Sequence, residues 1–261
     1  MQILLFDIET APNRGWIWRL WDEIRNMGMI EQDWYILCWG AKWLEKKEVM
    51  SSALPDFPLY KKEPRNDKHV LQELWKLLDE ADVVIGHNAV KFDRRKVNAR
   101  FMFHGMKPPS PYMMIDTLLV ARKEFDFSSN KLNDIVVFLG LGKKIDTGGF
   151  ELWTQCLDGI MSAWRKMVKY CKHDVTLLEK VYLALRPYML QHPNIGVYND
   201  DNRPCCPKCG CEKIHYRGYY HTTVSRFKRF KCLNPTCGGW GRERKNLLSK
   251  DKRQSLTTNA L

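Results

Sequence analysis

The chain has 261 residues, 44% of them hydrophobic, which suits one large domain or a medium domain with a small module and excludes a disordered chain. Its formal net charge of +12 is uneven: residues 201–261 carry 14 Lys/Arg against 4 Asp/Glu, whereas residues 1–200 carry 28 against 26. That asymmetry points to a polyanionic partner, nucleic acid before an anionic membrane surface, and no run approaches the ~18 apolar residues of a membrane span.

The chain begins "MQILLFDIET", without a basic n-region or a cleavage site, so a soluble cytoplasmic protein is expected. The run "ILLFDIE" reads as a buried strand, and residues two apart on a strand share a face, so Asp7 and Glu9 point the same way. Two like charges on one buried face repel unless a cation sits between them. "DWYILCWGAKW" and "KEVMSSAL" read as further strands. "DKHVLQELWKLLDEA" then reads as a helix with Val70, Leu71, Leu74, Trp75, Leu78 and Ala81 on one face and Asp67 as its N-cap.

A short strand "VVIGHN" leads into Asp93, five residues beyond Asn88 and next to Phe92, at the start of a predicted helix "FDRRKVNARFMFHGM". "YMMIDTLLV" follows as a strand, with Asp116 a fifth strand carboxylate read as structural. "KLNDIVVFLGL" and "FELWTQCL" are predicted helices, and a long helix runs from about Ser162 to Tyr188. In that helix Asp174 interrupts an apolar stripe, and Tyr170 lies one turn before it on the same face. The succession predicts an α/β domain with a mixed sheet.

Taken singly, each carboxylate has a structural explanation: a cap for Asp93, a lysine partner for Asp174, a strand end for Glu9. Together they place costly unpaired charge beside apolar segments, which a hard divalent cation such as Mg²⁺ or Mn²⁺ offsets. The set "FDIET", "GHNAVKFD" and "YCKHD" resembles the three exonuclease motifs of the DEDD 3'-to-5' exonucleases, a family with a ribonuclease H-like fold. Asp7 and Glu9 match the first motif, Asp93 the second and Asp174 the third. Tyr170 fits the Tyr-x-x-x-Asp spacing of the tyrosine subgroup, whereas His173 stands at the wrong spacing for the histidine type.

The resemblance covers residues 1–190 and implies two Mg²⁺ or Mn²⁺ ions flanking a scissile phosphate. It assigns Asp7 to both ions, Glu9 and Asp174 to the nucleophile side, Asp93 to the second ion and Tyr170 to orienting water. Thr10, Asn88 and Phe92 adjoin these residues as expected contacts to the terminal nucleotide. The nearest likeness is to stand-alone proteins of bacteriophages and bacteria, expressed in the bacterial cytoplasm.

Residues 191–204 read as a linker and 243–261 as a basic flexible tail. Between them six cysteines crowd into residues 205–242, which in an intracellular chain reads as metal ligation. Cys206 and Cys209 with Cys232 and Cys237 would hold one structural Zn²⁺ in a zinc ribbon, with Gly210 and Gly238 easing the turns; Cys205 and Cys211 remain alternatives. In "RFKRFK", Arg226, Phe227, Lys228, Arg229 and Phe230 interleave charge with rings, a candidate grip on a single strand or a 3' end, with DNA favoured over RNA. If the two phenylalanines form the ribbon's core instead, only the charges face out. The alternatives to an exonuclease are a catalytically idle nucleic-acid adaptor and a zinc-ribbon regulator.

Overall fold

Strand β1, Ile3–Thr10, is buried on both faces through Phe6, because it lies between two neighbours in the middle of a sheet. The computed structural model describes residues 1–19, 26–199 and 203–260. The chain divides into two units, Met1–Val181 and Tyr182–Leu261.

In the first unit, a small pair of strands, β2 (Arg14–Gly15) and β3 (Ile30–Gln32), precedes β4 (Ile36–Trp43) and β5 (Met50–Ala53). Helix α1 (Lys68–Glu80) and strand β6 (Val83–Gly86) follow, then helix α2 (Asp93–Phe103), strand β7 (Met113–Asp116) and helix α3 (Thr117–Glu124). Helices α4 (Leu132–Phe138), α5 (Glu151–Leu157) and α6 (Met161–Leu185) complete the run. The sheet order is β5-β4-β1-β6-β7, antiparallel on the β4 and β5 side and parallel on the β6 and β7 side. This is the mixed sheet expected, with helices packed against it.

Three local readings change. "YMMIDTLLV" is not one strand: it divides at Asp116, whose side chain accepts from Leu118 N at 3.0 Å and so caps α3. The long helix stops at Leu185, and Arg186–Tyr188 tightens to a 3-10 turn, since Pro187 has no N–H to continue the ladder. Asp67 stands at the N-cap of α1 but its buried carboxylate does not cap. It accepts from Ile36 N at 2.8 Å and from Arg100 at 2.8 and 2.6 Å, tying α2 to β4.

In the second unit, strands β8 (Ile214–Thr222), β9 (Ser225–Cys232) and β10 (Trp240–Arg242) form an antiparallel sheet in the order β10-β9-β8. The expected linker carries a 3-10 turn, Ile195–Tyr198, anchored by Ile195 N to Pro207 O at 2.8 Å; its residues 200–202 lie outside the described residues. The expected tail pairs back through Glu243 N to Lys228 O at 2.9 Å and Leu247 N to Arg226 O at 2.8 Å. It then forms helix α7 (Lys250–Gln254) with Ser249 as cap, while residue 261 lies outside the described residues. Among the described residues no helix is long and apolar enough to cross a membrane.

Candidate active site

The site is assembled where α6 meets β1. Asp7 pairs with Gly40 on β4, and a Cβ added to Gly40 would stand 3.1 Å from the Cys171 carbonyl and 3.2 Å from a Val175 methyl. Only the missing side chain lets α6 approach this closely, and Cys171 Sγ then donates to the Asp7 carbonyl at 3.6 Å. One carboxylate oxygen each from Asp7, Glu9 and Asp174 lie within 4.8 Å of one another. Asp93 falls outside that trio. It opens α2, is buried, and accepts from Ile8 N at 3.2 Å, which ties it to the same strand close enough to Asp7 to raise that carboxyl.

The electrostatics match a cluster of acids taken out of water. Burial first, then the neighbouring Asp93, Glu9 and Asp174, pushes the Asp7 carboxyl well above the usual carboxylate range. Burial and Asp174 push Glu9 up to about 8, and burial pushes Asp93 up to about 7. Asp174 is also raised by burial, against the opposing pull of Lys144. Lys144 Nζ donates to Asp174 Oδ2 at 2.5 Å and to the Tyr170 hydroxyl at 3.2 Å. The other oxygen, Asp174 Oδ1, is buried with no hydrogen-bond partner among the described residues. An all-oxygen donor set, mutual repulsion and one orphaned buried lone pair fit a hard divalent cation.

Lys144 was not anticipated; the only hint was the lysine pair that follows the glycine in "GLGKK". Its segment is strapped to α6: His173 Nε2 meets the Lys143 carbonyl at 2.9 Å, Lys180 Nζ the Leu141 carbonyl at 3.0 Å and Lys166 Nζ the Thr147 carbonyl at 3.1 Å. So His173, wrongly spaced for a catalytic role, instead anchors the loop that delivers Lys144.

Thr10 ends β1 at a cavity of about 360 Å³ bounded by Trp34, Lys96, Phe150 and Trp153. Lys96 Nζ lies 3.7 Å from the Trp34 ring centroid and 5.4 Å from that of Phe92, which is 39% exposed. Trp153 meets Tyr170 edge-on at 6.3 Å. Asn88 is held at φ +68, a left-handed backbone that asparagine tolerates, by donating its N–H to Asp116 Oδ1 at 2.8 Å. Asp116 also accepts from Val90 N at 3.1 Å, so it shapes the loop between β6 and α2. Thr10 and the rings of Trp34, Phe150 and Trp153 thus edge one hollow beside the acids, Phe92 reaches it only through Lys96, and Asn88 sits in the loop that positions Asp93.

In the second unit Cys206, Cys209, Cys232 and Cys237 converge, their sulfurs within 4.8 Å of one another. The Cys206–Cys237 and Cys209–Cys232 separations are 3.8 and 3.6 Å. A tetrahedron of thiolates with bonds of about 2.3 Å has edges of about 3.8 Å, so the donor set fits Zn²⁺. Cys211 packs against this cluster with its sulfur toward the Lys213 carbonyl, and Cys205 contacts Asn199; neither sulfur is one of the four that converge. Gly210 and Gly238 take φ +69 and +58, the turns each cysteine pair requires.

Phe230, expected to contact substrate, is 3% exposed and packs beneath Gly241, where a Cβ would come 2.4 Å from its ring; it is core of the small sheet and has no free face to stack a base. Arg226 and Phe227 are half-buried, and Lys228 and Arg229 are exposed on the same sheet.

A family model described as the RNase_H superfamily matches residues 28–186. Among solved structures, the family B DNA polymerase from the hyperthermophilic archaeon Pyrobaculum calidifontis is similar over 72% of this chain, with a TM-score of 0.51 and 16% identity. The likeness is one of fold, and it spans 26% of the polymerase chain. No curated protein matches the chain.

Proposed function

Because this chain belongs to the RNase H superfamily, we propose that it is a metal-dependent 3'-to-5' exonuclease of the tyrosine DEDD type, releasing nucleoside 5'-monophosphates from DNA or RNA. The observation that carries the reading is the convergence of Asp7, Glu9 and Asp174 within 4.8 Å, with Tyr170 one helical turn from Asp174. Those three residues would hold one Mg²⁺ or Mn²⁺, and Asp7 with Asp93 a second. A bound divalent ion supplies Lewis acidity that activates water and offsets charge at the phosphate.

The chain's own groups do the rest. The Tyr170 hydroxyl, whose pKa burial raises further above its ordinary value, stays protonated at neutral pH and acts as a donor that orients water rather than as a base. The Lys144 ammonium stands beside it, a positive charge available to a phosphate oxygen. The hollow edged by Thr10, Trp34, Phe150 and Trp153 offers aromatic walls for the terminal base. The four cysteines hold one Zn²⁺ in a structural role, since four thiolates leave no open position.

The test compares wild type with Asp7→Ala on single-stranded DNA and RNA labelled at the 5' or the 3' end, with Mg²⁺ or Mn²⁺. The expected result is a 5'-labelled ladder that shortens stepwise, mononucleotide released at once from the 3' label, and neither with Asp7→Ala. Internal cuts would replace the exonuclease with an endonuclease. Binding without shortening by either protein would leave the idle adaptor as the function.

A further inference from the structure

The two faces of the small sheet differ in a way that "RFKRFK" alone does not reveal. Directly paired residues share a face, and residues two apart on a strand share a face. One face therefore carries Phe230, Tyr216 and Gly241, with Arg226 stacked on Tyr219 at 5.1 Å and Lys228 on Tyr216 at 5.6 Å. The Tyr216 hydroxyl there donates to Glu243. The opposite face carries Tyr220, Phe227 and Trp240 together with Arg229 and Arg242.

On that second face the rings and guanidiniums alternate in contact. Arg242 lies 4.0 Å from the Phe227 ring centroid and 5.2 Å from that of Tyr220, and Arg229 lies 4.8 Å from that of Trp240. Tyr220 and Trp240 are nonetheless 46% and 42% exposed. None of the three strands contains an acidic residue, and Glu243, just past β10, is engaged on the other side. A cavity of about 540 Å³ opens on this face, bordered by Tyr220, Arg229, Trp240 and Arg242 with Lys208 and His192. Its size is that of a small-ligand site.

We propose that this face, through Tyr220, Trp240, Arg229 and Arg242, is a second nucleic-acid site that binds an unpaired strand, stacking bases on the rings and phosphates on the guanidiniums. A duplex buries its base faces against one another, so it could use the arginines but not the rings. An unpaired strand uses both, and every base offers a π-face whatever its identity. Arg229 gives its Nε to the Arg217 carbonyl at 3.1 Å and Arg242 an Nη to the Glu243 carbonyl at 3.3 Å, and the five-donor fork of each guanidinium has further N–H groups to offer a phosphate. The proposal rests on the nuclease reading only in taking nucleic acid as the ligand.

The test uses the full chain with zinc retained, in magnesium- and manganese-free buffer, and measures anisotropy of fluorescein-labelled dT20, rU20 and a 20-base-pair DNA duplex. Tyr220→Ala/Trp240→Ala should weaken dT20 or rU20 by about tenfold or more while duplex affinity stays within about twofold, with the salt slope unchanged. Whichever oligomer is bound more tightly identifies the sugar. Arg242→Gln should lower the salt slope for the single strand by about 0.7. Tyr220→Phe/Trp240→Phe should restore affinity, Tyr219→Ala on the other face should change it less than about twofold, and zinc should stay at one per chain throughout.

Unchanged single-strand binding in the double alanine variant, or equal weakening of strand and duplex, overturns the proposal. Because binding is read without hydrolysis, loss of the nuclease reading and loss of this one are separate results.

Discussion

Lys144 Nζ lies 2.5 Å from Asp174 Oδ2 and 3.2 Å from the Tyr170 hydroxyl, so a cation of the chain already sits inside a cluster otherwise made of acids. Burial works against the Lys144 ammonium, but Asp174 more than compensates and its pKa is raised. The lysine partner that a structural reading of Asp174 requires is therefore present, and it leaves Asp174 Oδ1 free for a metal.

Lys144 and a divalent ion compete for the same negative charge. Lys144→Ala should lower the Mn²⁺ concentration for half-saturation by about tenfold, ~1.4 kcal/mol, read by calorimetry at pH 7.5. Hydrolysis by the same variant should nonetheless fall, through kcat rather than KM, because the positive charge beside Tyr170 is gone. Weaker Mn²⁺ binding would show that Lys144 organises the acids instead of competing with the ion.

The Glu9 carboxyl, pushed from 4.5 to about 8, makes stability depend on pH with a definite sign. Between those values the folded chain holds more protons than the unfolded one, so this group's contribution is full below about pH 4.5 and is lost as pH rises through 8. In magnesium- and manganese-free buffer, Glu9→Gln should have a Tm close to wild type at pH 5 and clearly above it at pH 8. Adding Mn²⁺ at pH 8 should raise the wild-type Tm more than that of the variant. A gap that closes with rising pH contradicts the assignment.

Gly40 is the point of closest approach between β4 and α6. Gly40→Ala places a methyl 3.1 Å from the Cys171 carbonyl, and the overpacking should cost about 1–3 kcal/mol in thermal unfolding. Since Asp174 rides on the same helix, hydrolysis should drop further than the fall in stability explains.

Metal analysis should find one Zn²⁺ per chain. Cys237→Ser should abolish it and Cys211→Ser leave it in place, because the Cys211 sulfur points to the Lys213 carbonyl and is not one of the four that converge. Loss of zinc in Cys237→Ser should release the sheet of the second unit, seen as rapid amide exchange in residues 214–232, since Cys232 closes β9.

Local periodicity made much of this legible. Asp7 and Glu9 two apart on a strand, Tyr170 and Asp174 four apart on a helix, and two cysteine pairs each followed by glycine are patterns whose geometry a few bonded residues dictate. The mixed sheet followed from the same alternation. "YMMIDTLLV" was harder, because Asp116 serves at once as the last residue of β7 and the cap of α3, and apolar runs do not reveal which takes precedence.

What the sequence by itself determined is the inventory of the site: the acids, the tyrosine and the thiols, together with the faces they take on their own elements. The tertiary structure decided which of them meet. It drew Asp7, Glu9 and Asp174 into one trio and set Asp93 just outside it, at the start of α2. It brought in Lys144 from a loop 30 residues before Asp174, and it sent Phe230 into the core while Phe227 faced the arginines. Those choices depend on backbone approach at Gly40 and Gly241 and on long-range strapping of one loop to α6, and contacts between residues distant in the chain leave no periodic mark in it.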